Sequence, residues 1–156
     1  MGGVPGDLRP TSQFQMSSTL TSGYSGAPLS KKLGLKPGMT LVAVGDVPGA
    51  YRTWLGPLPE GVIIAGRGMP PLGAVHVFTT QRAELVRHLQ HLRKALHPDG
   101  FVWVSWPKKA SKVATSITED VIREVALPLG FVDIKVCAVS EVWSGLKLVI
   151  RVSERR

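Results

Sequence analysis

Val75-His76-Val77-Phe78-Thr79-Thr80, then Leu85, Leu89, Leu92 and Leu96, then Pro98-Asp99-Gly100 and Phe101-Val102-Trp103-Val104-Ser105-Trp106 make up the stretch that decides the fold. The leucines recur at steps of four, three and four, which puts one apolar stripe along a helix. Thr80 predicts the N-cap of that helix and Pro98-Asp99-Gly100 the turn that ends it. The runs on either side are apolar over strand length. A strand, a helix and a second strand in direct succession form the unit from which parallel sheets are built.

Working outward, Met39-Thr40-Leu41-Val42-Ala43-Val44 and Val62-Ile63-Ile64-Ala65 read as two more strands, each buried on both faces because neither alternates with polar residues. Pro28 to Gly34 predicts a short helix with Gly34 as its C-terminal cap, and Ala50 to Leu55 a turn or two of helix. Toward the C-terminus, Ser116 and Glu119 are spaced as a capping box for a helix carrying Val121, Ile122 and Val125 and ended by Pro128 and Gly130. Phe131 to Ser140 and Leu146 to Val152 predict two strands joined as a hairpin through Glu141 to Gly145. The order implies an α/β fold with a mostly parallel sheet and an antiparallel edge.

A chain of 156 residues suits one domain. Residues 1–22, rich in Gly, Pro, Ser and Thr without an apolar period, predict a disordered tail, which leaves 23–156 as a single α/β domain. Cys137 is the sole cysteine, so an internal disulfide and a cysteine-pair metal cluster are both excluded, and a reducing cytoplasm fits. No window offers the roughly 18 unbroken apolar residues of a membrane span. Nineteen Lys and Arg against eleven Asp and Glu leave a net charge of +8, which points to an anionic small molecule or a nucleic acid as partner. No nucleic-acid motif accompanies the charge.

Leu92-Arg93-Lys94-Ala95-Leu96-His97-Pro98-Asp99-Gly100-Phe101-Val102-Trp103-Val104 resembles the helix, Pro-x-Gly turn and buried strand of the class I S-adenosylmethionine-dependent methyltransferase fold, a three-layer, Rossmann-like architecture of seven strands with a C-terminal antiparallel hairpin. The resemblance runs from Gly34 onward. It implies a cofactor loop at Ala43-Val44-Gly45-Asp46-Val47-Pro48-Gly49, where Ala43 replaces the family's acid and Val47 its middle glycine. The acid that would hold a ribose after the second strand is replaced by Gly66-Arg67-Gly68. Arginine can only donate hydrogen bonds, which favours a phosphate there. With only about eight residues between the second and third strands, the fold is expected in a reduced form lacking a strand and a helix. Gly23-Tyr24-Ser25-Gly26-Ala27-Pro28-Leu29-Ser30-Lys31-Lys32-Leu33-Gly34 and Val104-Ser105-Trp106-Pro107-Lys108-Lys109-Ala110-Ser111, with Trp143-Ser144-Gly145, also resemble a small actinobacterial family of unknown function. That likeness implies a bacterial setting and no chemistry.

Ligands of open parallel sheets bind outside the carboxyl ends of the strands. The residues expected there are Gly45, Asp46 and Gly49, then Arg67, Arg82, Ser105, Trp106, Lys108, Lys109, Glu141 and Trp143. The lysines suit a phosphate or carboxylate clamp, the tryptophans a stacking surface, and Glu141 a base or an ion pair. His76, alternating with Val75 and Val77, predicts a core histidine, and Cys137 a buried hydrophobe. His88 and His91 lie three apart on a helix without a third metal ligand. Non-catalytic binding of an anionic ligand is the first expectation. A methyltransferase with a divergent cofactor loop and a basic nucleic-acid binder are the alternatives, and no cofactor is specified.

Overall fold

The computed structural model describes residues 27–155, and the expected tail over residues 1–22 lies outside them. Helices α1 (Leu29–Leu33), α2 (Tyr51–Leu55), α3 (Arg82–Ala95) and α4 (Glu119–Ala126) accompany strands β1 (Thr40–Gly45), β2 (Ile63–Ala65), β3 (Leu72–Phe78), β4 (Leu96–Pro107), β5 (Phe131–Ala138) and β6 (Trp143–Ile150). One sheet holds the six strands in the order β2-β1-β3-β4-β6-β5. The first four are parallel neighbours, and β6 runs antiparallel to both β4 and β5. This is the expected mostly parallel α/β sheet with an antiparallel hairpin.

Alternation along β3 divides the core. Val75 and Val77 face α3 and α4, where Leu85, Leu89 and Leu92 from the predicted stripe pack with Val102, Val104, Ile122 and Leu148. Ala74 and Phe78 face the other way, against Leu29, Leu33, Tyr51 and Leu55 of α1 and α2. Burial on both faces requires apolar residues at every position, which is why β1 and β4 read as continuous apolar runs.

Four local expectations are corrected. β2 is an edge strand, not a buried one: among the described residues its only partner is β1, and Ile63 is 59% exposed. Thr80 does not cap α3; the Arg82 amide donates instead to Ser116 Oγ at 2.8 Å, across 34 positions of sequence. Ser116 is therefore unavailable for a capping box with Glu119, and α4 is capped by Thr118 Oγ1, which accepts from the Val121 amide at 3.2 Å. Pro98-Asp99-Gly100 is no turn between elements. α3 ends at Ala95, Leu96 already pairs with Leu72, and the register shifts between Leu72 and Ala74 before the regular ladder resumes at Phe101.

The link from β2 to β3, residues 66–71, is shorter still than the sequence suggested, and it contains neither helix nor strand. It can cross β1 because β2 is only three residues long. The chain must travel about 10 Å across two strand spacings and about as far back along them, within the reach of seven peptide steps at roughly 3.3 Å each. Gly68 lies over β1, where a Cβ would come within 3.2 Å of Val42 Cγ2.

Candidate functional site

Four parallel strands deliver their carboxyl ends to one edge, and the start of β6 joins them, because Trp143 is registered with Pro107. Two separate depressions lined by described residues lie there. The first, about 240 Å³, is lined by Ala43, Val47, Pro48, Gly49, Tyr51, Arg52, Ile64, Ala65 and Gly66, at the ends of β1 and β2. Gly45, between the lining residues Ala43 and Val47, has φ +87°, and an added Cβ would run into Phe78 O, so the chain can turn here only as glycine. Arg52 Nη2 donates to Ile64 O at 3.0 Å. Among the side chains lining this cleft none is a carboxylate.

The second depression, about 660 Å³, follows β4. Lys108 extends the hairpin by donating its amide to Val142 O at 2.7 Å, after which Lys109–Ser111 make one 3-10 turn. Ser111 Oγ closes that turn onto Lys108 O at 2.6 Å. Lys112 follows with φ +62°, the one non-glycine residue of positive φ among the described residues. A left-handed lysine costs roughly 1–2 kcal/mol. The turn brings Lys108, Lys109 and Lys112 around a floor of Trp106, Pro107 and Ile117, with Thr115 and Ser144 as further polar lining. Among the described residues none of the three lysines is ion-paired, and Glu119, the acid of the groove, is held by Arg123 Nη2 at 3.1 Å.

The residues expected to share one cleft are thus divided. Gly49 lines the smaller cleft, and Trp106, Lys108 and Lys109 the larger. Gly45 and Asp46 line neither; they form the turn after β1, with the Asp46 amide donating to Phe78 O. Arg67, Arg82 and Glu141 are exposed and line neither. Trp143 is half-buried and packs edge-on against Phe78, with centroids 5.2 Å apart. Ser105 needs correction: it is fully buried, because β4 turns it toward the α1 and α2 side.

What the sequence did not expose is a buried polar chain behind the smaller cleft. Tyr51 Oη lies 2.6 Å from His76 Nδ1, and His76 Nε2 lies 2.7 Å from Ser105 Oγ. His76 is stacked on Phe78 at 4.2 Å and, as expected, wholly enclosed. Burial pushes its pKa down to about 3 and pushes the Tyr51 phenol up. Cys137 is half-buried and its thiol is likewise raised by burial. Among the described residues no three of His, Cys, Asp and Glu are grouped to hold a metal ion, and no helix is long and apolar enough to cross a membrane.

No family model and no curated protein matches the chain. Solved structures do. An S-adenosylmethionine-dependent methyltransferase from Aquifex aeolicus aligns over 78% of this chain and 87% of its own, with a TM-score of 0.57 and 17% identity. The fibrillarin pre-rRNA processing protein of Methanococcus jannaschii aligns over 74% and 68%, with a TM-score of 0.52 and 10% identity. The CcbJ methyltransferase from Streptomyces caelestis aligns over 80% and 88%, with a TM-score of 0.51 and 8% identity. At such identities the likeness concerns architecture alone, and the chain has the methyltransferase-like Rossmann fold.

Proposed function

We propose that the protein binds a small anionic molecule, bearing a phosphate or carboxylate, in the lysine groove after β4. One observation carries this reading: three lysines that have no acidic partner among the described residues surround a single groove of about 660 Å³. That volume falls in the range of small-molecule sites, roughly 300 to 1,000 Å³, and the 240 Å³ of the other cleft falls below it. Charge-assisted hydrogen bonds from Lys108, Lys109 and Lys112 would hold the anion, while Trp106 and Ile117 offer apolar surface to the rest of the ligand. The strained backbone at Lys112 supports the assignment, since such conformations gather at ligand sites.

The second reading is methyl transfer from S-adenosylmethionine, favoured by the fold and by a cleft at the ends of β1 and β2. The residues present fit that cofactor poorly. Val47 lines the cleft where the family resemblance puts a glycine, and no side-chain carboxylate is there to accept from ribose hydroxyls. Calorimetric titration of the full chain with inorganic phosphate, AMP and S-adenosylmethionine separates the readings. Binding of phosphate or AMP that is lost in Lys108→Ala/Lys109→Ala supports the lysine groove. Micromolar binding of S-adenosylmethionine that the double substitution leaves unchanged would favour methyl transfer and overturn it.

A further inference from the structure

The hairpin of β5 and β6 carries a second group of lysines, on the side of the sheet turned away from α3 and α4. Leu146, Leu148 and Ile150 of β6 pack into the core beneath those helices, so Lys147 and Val149, which alternate with them, point to the α1 side. Lys147 is registered directly with Lys135 of β5, and Cys137 with Gly145, which puts Lys135 and Cys137 on that same face. The Lys147 ammonium lies 4.4 Å from the centroid of the Phe101 ring, and a Cβ added at Gly34, the cap of α1, would come 3.4 Å from it. Burial first, and then the charges of Lys135 and Lys36, hold it below the usual lysine range. Lys32 reaches the same face from α1, with its ammonium 3.5 Å from Ala138 O.

Like charges set directly across a ladder destabilise it. Among the described residues none of Lys36, Lys135 and Lys147 is ion-paired. Asp133, the one acid of β5, is registered with Leu148 on the opposite face and is held there by Arg123 Nε at 3.1 Å. An anion laid across the lysines removes the repulsion. The ammonium groups come from α1, the turn after it and two strands, a spread that suits the repeated phosphates of a polymer. Among the described residues no aromatic side chain is exposed, and Phe101 and Trp103 beneath Lys147 are 7% and 0% exposed. The face therefore offers no ring for unpaired bases to stack on, nor one to anchor in a membrane interface. We infer that this face docks the phosphate backbone of a nucleic-acid duplex, by charge and without reading sequence. It shares no lining residue with the groove after β4 and stands apart from the reading proposed there.

Fluorescence anisotropy of the full chain with two short labelled DNA duplexes of unrelated sequence, over a salt series, tests the inference. Lys36→Gln/Lys135→Gln and Lys108→Ala/Lys109→Ala each remove two charges from the same +8, so a diffuse field would weaken equally in both. The first variant should bind both duplexes about tenfold or more weakly at low salt, and the slope of log affinity against log salt should shrink by about 2. The second should keep most of the affinity and the slope. The melting temperature of Lys36→Gln/Lys135→Gln at low salt should equal or exceed the parent's, because Lys135 no longer opposes Lys147. Equal weakening in the two variants, an unchanged slope, a preference between the two duplexes, or a lowered melting temperature would each overturn the inference. Tighter binding of the single strand, or of phosphatidylserine vesicles, than of the duplex would overturn it as well.

Discussion

His76 makes acid a specific probe of this core. Its pKa in the fold is held near 3 by burial, against 6.5 for the free side chain. Between those values the unfolded chain binds a proton that the folded chain refuses, so stability is complete above about pH 6.5 and falls as the pH drops toward 3. The slope from this one group is about 1.4 kcal/mol per pH unit. Replacing His76 with Gln should flatten the acid limb by that amount, leaving the carboxylate contribution common to both proteins. Equal slopes in urea melts of parent and variant between pH 6 and 4 would show that His76 takes up its proton without unfolding. The enclosure of His76 was legible because Val75 and Val77 flank it. Its partners were not, since Tyr51 and Ser105 lie 25 and 29 positions away and neither residue type is distinctive in an apolar run.

Helices α3 and α4 show what local signals carry and where they stop. The leucine stripe was readable because an amphipathic face is a property of the helix itself, and Leu92, 4% exposed, sits in the core as expected. Leu92→Ala should therefore cost roughly 2–5 kcal/mol in denaturant unfolding, and a cost under about 0.5 kcal/mol would contradict that packing. The capping box failed because Ser116 satisfies an amide on a different helix, a tertiary contact that no spacing encodes. Ser116→Ala should cost about 0.5–2 kcal/mol and speed amide exchange in the first turn of α3, not of α4. Glu119→Ala should lose no more than about 1 kcal/mol, since Glu119 only shares Arg123 with Asp120 and Asp133. The Pro98-Asp99-Gly100 signal was real but belongs to a strand entry. A Cβ at Gly100 would come within 2.9 Å of the backbone oxygens of Leu72 and Gly73, so glycine is needed for close approach of two strands.

At the scale of the molecule, the net charge of +8 is a field that attracts any anion, and the lysine groove is the place where we propose that one is selected. Strand order made this edge predictable, because parallel strands must deliver their ends together. The division into two clefts was not predictable, since it depends on where the 109–111 turn and the 66–71 crossover fold back. Lys109 and Lys112 are exposed and Lys108 is half-buried, so Lys108→Ala/Lys109→Ala should leave the melting temperature within a degree or two of the parent. Binding of a phosphate-bearing ligand should nonetheless weaken by about 1.5–3 kcal/mol per hydrogen bond lost to charge. Salt separates field from place. Attraction of a polyanion to a diffuse positive surface falls steeply with ionic strength, because counterions are released in proportion to the phosphates neutralised. A single phosphate held by three converging lysines over Trp106 is screened less and keeps most of its affinity at high salt. Calorimetry with AMP at low and high salt, run on parent and double variant, is the decisive measurement. Retained affinity in the parent and its loss in the variant would identify a formed pocket. Equal binding by both proteins at every salt concentration would reduce Lys108 and Lys109 to solvated surface.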